Sequence, residues 1–136
     1  MARLILDTGV LIDAVRGRSD LKTLLTDEDD VSLPVVVVAE YLVGVHRDHD
    51  PARKAAQRAF LAAVLNVVPV EPYDLEIANS HAELLAHTRA NGQIRGSHDL
   101  IIAATAIATN RTLLTTDKKA EFHLLPGIDV CLIKRA

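Results

Sequence analysis

Four acidic residues of this chain stand where an apolar segment starts, ends or turns inward; they are Asp7, Glu40, Asp99 and Asp117. An ionised carboxylate among apolar neighbours costs free energy unless a positive group compensates it, and four carboxylates brought together also repel one another. A bound divalent cation would satisfy both conditions. All-oxygen ligands suit Mg²⁺, with Mn²⁺ as a substitute, whereas zinc would recruit histidine or cysteine. The residue types therefore predict a metal site that supports hydrolysis.

The segments around these acids alternate between short strands and longer helices. Residues 4–6 form a continuous apolar run, typical of a buried parallel strand, which ends at Asp7. Gly9 is interpreted as the turn out of that strand. Alternation of this kind indicates an α/β sandwich. Further strands are expected at residues 31–33, 67–70, 112–115 and 130–133.

Residues 35–45 are the main ambiguity of the sequence. The four valines at 35–38 favour a strand, but no turn signal follows them, and Val36, Glu40 and Gly44 share helical spacing. We predict a helix on which Glu40 faces inward. N-caps are expected at polar residues that precede the helical segments, namely Ser19, Asp50, Asp74 and Ser97.

The places of the acids along these elements predict that they converge. In open parallel sheets, ligands bind outside the carboxyl ends of the strands, where the following helices begin. Asp7 and Asp117 follow strand ends, and Asp99 lies in the first turn of a helix. The longer side chain of Glu40 would reach the same crevice. The competing interpretation, that each acid is a separate cap or surface charge, suits Asp99 and Asp117 better than Asp7 and Glu40.

Composition limits the classes of protein that the chain fits. Its 136 residues, 49% of them hydrophobic, suit a single domain over residues 1–136. The formal net charge of -3 argues against a general DNA-coating protein, and the 3% aromatic content leaves few side chains for base stacking. Cys131 is the only cysteine, which excludes an intrachain disulfide. With no signal-peptide pattern and no apolar stretch of about 18 residues, we expect a cytoplasmic protein that does not enter the membrane.

Four segments, taken in order, resemble the PIN-domain ribonucleases. They are LILDTGVLID at residues 4–13, AEYLVG at 39–44, HDLIIAATA at 98–106 and LLTTD at 113–117. The likeness is greatest to the VapC-type toxins of bacterial toxin–antitoxin pairs, and it covers nearly the whole chain. Each segment alone is unspecific, so the order and the spacing of the four carry the resemblance.

The resemblance implies an α/β/α sandwich around a twisted parallel sheet of four to five strands. It also implies an Mg²⁺- or Mn²⁺-dependent endoribonuclease that leaves 5′-phosphate and 3′-hydroxyl ends on RNA. A cognate antitoxin protein and a second copy of the chain, in a homodimer, are the implied partners. In that family Thr115, in the Thr-x-Asp pattern, would support a metal site formed by the matching acids Asp7, Glu40, Asp99 and Asp117.

The resemblance does not assign a definite role to several residues around this centre. Thr8 is a second candidate hydroxyl, Ser97 stands where many relatives carry a further acid, and Glu121 is the candidate for an outer acid. His98 is left out of the catalytic set, because metal-assisted hydrolysis needs no histidine base. Basic groups that could contact phosphates near the crevice are Arg16, Arg18, Arg95, Lys118 and Lys119.

Two other functions are compatible with the α/β pattern. The first is a catalytically silent PIN-like module that only binds an antitoxin-like partner or RNA, and the retention of four mutually repelling acids argues against it. The second is a phosphatase or receiver-like domain that uses Asp7 as nucleophile or phospho-acceptor. Gly9 occupies the place of the second acid that phosphatase chemistry favours. We therefore expect the RNA-cleaving toxin of a type II toxin–antitoxin pair.

Overall fold

Five short strands form one parallel sheet in the computed structural model, which describes residues 1–134. Their spatial order is β3-β2-β1-β4-β5, and β1 at the centre pairs Leu4 with Val31 on one side and with Thr112 on the other. Because every pairing is parallel, the carboxyl ends of the strands lie along one edge. The strands are β1 (Arg3–Leu6), β2 (Asp30–Pro34), β3 (Val70–Glu71), β4 (Thr112–Thr115) and β5 (Asp129–Leu132).

Helices cover the sheet, which confirms the expected α/β/α sandwich. The last long helix is the most buried, because its small and apolar side chains let it lie between the sheet and the helix before it. No helix within residues 1–134 has the length and apolar character needed to cross a membrane. The helices are α1 (Thr8–Val15), α2 (Leu21–Leu24), α3 (Val35–Arg47), α4 (Pro51–Val67), α5 (Leu75–Ala90) and α6 (Ser97–Ala108), followed by a 3-10 turn at Phe122–Leu124.

The helix predicted for residues 35–45 is confirmed, although its valines favour a strand. Val37, Tyr41 and Val45 are its buried residues, and their spacing of four places them on one face towards the core. The Tyr41 hydroxyl also donates to the carbonyl of Gln57 at 2.8 Å, which ties α3 to α4. Burial at helical period thus outweighs the β propensity of the valines.

The strand expected at residues 67–70 was wrong in its bounds. Helix α4 continues to Val67, and the strand consists only of Val70 and Glu71. The buried residues Leu61, Val64 and Val68 keep helical spacing, so this stretch packs as a helix end until Pro69. The fifth strand is also one residue earlier than expected, at Asp129–Leu132.

Two of the four expected N-caps are confirmed, at Asp50 and Asp74. The caps expected at Ser19 and Ser97 were wrong. Asp20 caps α2 with its carboxylate, and Ser97 is already the first residue of α6, after Gly96. A carboxylate accepts more strongly from the exposed N–H groups at a helix start than a hydroxyl does, which favours Asp20 over its neighbour.

Candidate active site

A cleft of about 410 Å³ opens at the carboxyl edge of the sheet. Each of the four acids reaches it from a different element: the end of β1, helix α3, the start of α6 and the turn after β4. Lys118 and Lys119 also line it. We call this space the acidic cleft and define it by the four acids that the structure brings together, Asp7, Glu40, Asp99 and Asp117.

Asp7 is the deepest of these acids, with only 6% of its surface exposed. Its Oδ1 accepts from the backbone N–H of Thr8 at 2.7 Å, and its Oδ2 accepts from the hydroxyl of Thr115 at 2.7 Å. Asp7 also has a structural role that its place in the sequence did not suggest, because it caps α1 directly after β1. Burial raises the pKa of this carboxyl, and the nearby Glu40 and Asp117 add to that rise against the lowering effect of the two hydrogen bonds.

The expected turn at Gly9 was also wrong, since Gly9 is the second residue of α1. A Cβ at this position would collide with the hydroxyl oxygen of Thr116 on the other wall of the acidic cleft. The absence of a Cβ at Gly9 leaves room for the Thr116 side chain, which would have to move if a larger residue stood there.

Thr115 joins two of the acids through a single buried hydroxyl. It is 1% exposed, donates to Asp7 Oδ2 and accepts from the backbone N–H of Asp117 at 3.0 Å. Oδ1 of Asp117 in turn accepts from the N–H of Ala120 at 3.1 Å, which fixes the turn after β4. The Thr-x-Asp spacing therefore sets the place of Asp117 relative to Asp7.

Glu40 is held from two sides, although its side chain remains 30% exposed. The hydroxyl of Thr8 donates to Oε1 at 2.8 Å, so the candidate Thr8 contacts a different acid from the one that Thr115 contacts. Nδ1 of His98 lies 3.4 Å from Oε2, an ion pair when the imidazole is protonated. The sequence carried no signal for this contact, because His98 and Glu40 meet only through the packing of α6 near α3.

The pKa of Asp99 is affected by all three of the other acids in the cleft. Burial raises the pKa of Asp99 to about 6, and the charges of Asp7, Asp117 and Glu40 contribute to that rise, while Arg95 opposes it. All four acids therefore lie within electrostatic reach of one another. Their mutual repulsion is what a bound cation would relieve.

Positive partners are scarce at this edge of the sheet. Within residues 1–134, His98 supplies the only ion pair to the four acids. By contrast, the buried guanidinium of Arg111, just before β4, pairs with Asp30 at 3.0 Å and with Glu71 at 3.5 Å. The acids of the acidic cleft thus have no buried guanidinium comparable to Arg111 as an ion-pair partner among residues 1–134.

The donors of the acidic cleft fit a hard divalent cation in type. They are carboxylate oxygens, which Mg²⁺ and Mn²⁺ use in small numbers while retaining several waters. Within residues 1–134, however, no three His, Cys, Asp or Glu side chains are grouped closely enough to hold one ion as they stand. Binding would therefore have to draw the carboxylates inward against their repulsion.

The other predicted residues divide between the acidic cleft and sites outside it. Lys118 and Lys119 line the cleft, whereas Arg16 faces a separate cavity between α1 and α3. Arg18 lies 3.8 Å from the buried carboxylate of Asp13. Glu121, the candidate outer acid, lines an adjoining cavity rather than the cleft. Sequence spacing does not reveal such a division, because it depends on the direction of each loop.

The raised pKa of Asp99 predicts an unusual pH dependence of protein stability in the absence of metal. Because the folded state raises the pKa of Asp99 from 3.8 to about 6, the folded protein retains a proton that the unfolded chain releases between these values. Stability should therefore fall as pH rises through this window. In EDTA, thermal melting of Asp99→Asn should show a smaller fall than wild type between about pH 4 and about pH 7.

The control for this comparison is Asp129→Asn, which removes an exposed acid at the far edge of the sheet. Its melting midpoints should follow those of wild type at each pH. If the melting midpoints of wild type and Asp99→Asn fell equally with rising pH, the folded state would not raise the pKa of Asp99.

Comparisons with known proteins give the family of the chain and proteins with a similar fold. The family model described as PIN domain matches residues 4–125. Ribonuclease VapC of Rickettsia bellii is 29% identical over 130 residues, which cover 96% of each chain. VapBC2 of Rickettsia felis, solved with a fragment of promoter DNA, has a TM-score of 0.86 at 25% identity and covers 97% of this chain and 99% of its own. VapBC-5 of Mycobacterium tuberculosis has a TM-score of 0.76 at 28% identity, with coverage of 98% and 99%.

Proposed function

The chain belongs to the PIN domain family, and from that premise we propose that it is the toxin of a type II toxin–antitoxin pair, a metal-dependent endoribonuclease. The names of its relatives support this reaction class, since they are VapC ribonucleases and VapBC structures. The observation that carries the proposal is the acidic cleft, where four carboxylates face one space with a single histidine as ion-pair partner among residues 1–134.

Asp7, Glu40, Asp99 and Asp117 would hold the divalent cation. When bound, Mg²⁺ or Mn²⁺ supplies charge to neutralise a phosphodiester and lowers the pKa of a water that attacks phosphorus. The residues of the chain orient this centre. Asp7 is fixed by two hydrogen bonds, Thr115 sets its distance from Asp117, and Thr8 positions Glu40.

Lys118 and Lys119 line the same cleft and would contact the phosphates of RNA on either side of the cleaved bond. Phosphate contacts fix the register of a nucleic acid without reading its bases. They also offset the repulsion that an acidic site exerts on a polyanion. A chain with a net charge of -3 can therefore still bring RNA to its active site through local charge.

We further propose a cognate antitoxin as protein partner, a homodimer, and action in the cytoplasm. A basic side chain of the antitoxin inserted into the acidic cleft would occupy the place of the cation and block cleavage. For the homodimer, exposed apolar side chains on α3 offer a surface, because Val35 is 43% and Val43 53% exposed. Light scattering that gave the mass of one chain, 14.8 kDa, would contradict the homodimer.

The decisive experiment is RNA cleavage under control of the metal. The purified chain should cut structured RNA in Mg²⁺ or Mn²⁺, yield 5′-phosphate ends, and lose all cutting in EDTA until metal is restored. Mn²⁺ should also raise the melting temperature of wild type, because it relieves the repulsion in the acidic cleft. The exposed-acid variant Asp129→Asn serves as the matched control and should behave as wild type in both assays.

Cleavage that persists in EDTA would contradict the metal-dependent mechanism. RNA binding without cleavage in either metal would favour the alternative function, a silent PIN-like module. A melting temperature indifferent to Mn²⁺ would count against a cation site among the four acids.

A further inference from the structure

A second cavity, of about 370 Å³, shares a wall with the acidic cleft. Asp99 and Lys119 line both spaces, so a nucleotide adjacent to a phosphate held in the cleft lies within reach of this second cavity. Its volume lies in the range of small-ligand sites, about 300 to 1,000 Å³. We call it the flank pocket and define it by the side chains that it does not share with the cleft: Gln93, Ile94, Arg95, Glu121 and Leu124.

We propose that the flank pocket binds the base of the nucleotide next to the cleaved phosphate and thereby selects the RNA sequence. The inference rests on the proposed function, because it takes the acidic cleft as the place of cleavage. Sequence-specific proteins read RNA mainly at unpaired nucleotides, whose bases can turn into such pockets. The occupant is therefore a single unpaired nucleotide of the substrate.

The side chains of the flank pocket suit a nucleobase. Ile94 is 99% exposed and Leu124 52% exposed, so both offer apolar surface against which a base can lie. They would replace the aromatic side chains on which bases commonly stack, since aromatic residues make up only 3% of this chain. The amide of Gln93 can donate and accept, and the carboxylate of Glu121 can accept from an amino group of a base. Uracil has no amino group, and its single N–H lies between two carbonyl oxygens that repel a carboxylate, so Glu121 predicts preference for adenine, cytosine or guanine over uracil.

The flank pocket is also held in shape by the active site. The guanidinium of Arg95 donates to the backbone carbonyl of Ala120. The backbone N–H of Ala120 in turn donates to Asp117 Oδ1 at 3.1 Å. Glu121 has a left-handed backbone, with φ of 49°, a conformation that costs free energy in a residue other than glycine. Such backbone conformations persist where the surroundings impose them, and they concentrate at functional sites.

The test is to map where the chain cuts a library of RNAs with randomised unpaired loops, in Mg²⁺ and Mn²⁺. Wild type should disfavour uracil at one fixed position beside the cut. Glu121→Gln, Gln93→Ala and Leu124→Ala should each weaken that preference, Glu121→Gln by about tenfold, which corresponds to loss of one base-reading contact. Leu132→Ala, which shortens an exposed apolar residue elsewhere in the sheet, is the control and should keep the wild-type preference.

Base preference is scored among cut products, so it does not depend on the total rate. Efficient cutting with no base preference, or a preference that all three variants retain, would overturn the proposed role of the flank pocket. The proposed function would remain intact. If wild type does not cut, the proposed function fails, and the pocket is judged by nuclear magnetic resonance with mononucleotides. Shifts at the Gln93 side-chain amide with AMP, and weaker shifts with UMP, would support it; no response to either would overturn it.

Discussion

Replacement of Asp7 by asparagine is expected to reduce RNA cleavage strongly and yet to stabilise the metal-free protein. The carboxylate is 6% exposed, and burial and neighbouring acids raise its pKa, which means that the fold disfavours its charged form relative to the unfolded chain. Asparagine removes that charge, and its oxygen can still accept from the N–H of Thr8. Its amide can donate to the hydroxyl oxygen of Thr115, in place of accepting from that hydroxyl. We expect a gain of about 1 kcal/mol in the free energy of unfolding in EDTA.

The same substitution removes the most buried proposed ligand of the cation. Cleavage should fall by about a hundredfold to a thousandfold, a loss typical when one preorganised electrostatic contact is removed from an active site. Melting in EDTA and in Mn²⁺, together with cleavage rates, measures both effects on one preparation. The stabilisation by Mn²⁺ should shrink in Asp7→Asn and persist in Asp129→Asn. Cleavage at the wild-type rate, or a variant less stable than wild type in EDTA, would show that Asp7 serves mainly as a helix cap.

Replacement of Thr115 by valine should lower both stability and cleavage, so its effect on stability is opposite to that of Asp7→Asn. Valine preserves the volume but removes the hydroxyl that donates to Asp7 and accepts from the N–H of Asp117. These partners are left unsatisfied at a position that is 1% exposed, at a cost of about 1 to 3 kcal/mol. Cleavage should fall by about tenfold to a hundredfold, as for other groups that orient metal ligands.

Thr115→Ser is the matched variant, because it keeps the hydroxyl and loses one methyl group. It should retain most of the cleavage and most of the response to Mn²⁺, although the lost methyl lowers stability somewhat. If Thr115→Ser and Thr115→Val lost cleavage equally, packing rather than the hydrogen bonds would explain the role of Thr115.

The sequence predicted those parts of the fold in which one local signal is strong. The central strands were recognisable because Leu4, Ile5 and Leu6, like Leu113 and Leu114, form short apolar runs that are buried on both faces. The end of α4 was mistaken for a strand because Val67 and Val68 have β propensity. Only the tertiary burial of neighbouring turns decides between the two structures there.

The convergence of the acids was predictable for a related reason. Topology alone places strand ends and helix starts at one edge, so Asp7, Asp99 and Asp117 had to lie near one another once the sheet was parallel. The contacts between side chains were not predictable. The pairing of Glu40 with Thr8 and His98, and the displacement of Glu121 into the flank pocket, depend on rotamers and loop directions that no spacing encodes.

The strand order β3-β2-β1-β4-β5 also determines when the acidic cleft can assemble during synthesis. Synthesis delivers β1 and Asp7 first, but β1 acquires its second neighbour only when Thr112–Thr115 emerges, more than a hundred residues later. Non-local pairing of this kind closes late in folding. A nascent chain therefore contains no assembled cleft until β4 and Asp117 have been translated. Topology thus delays assembly of the cleft until long after Asp7 has been made.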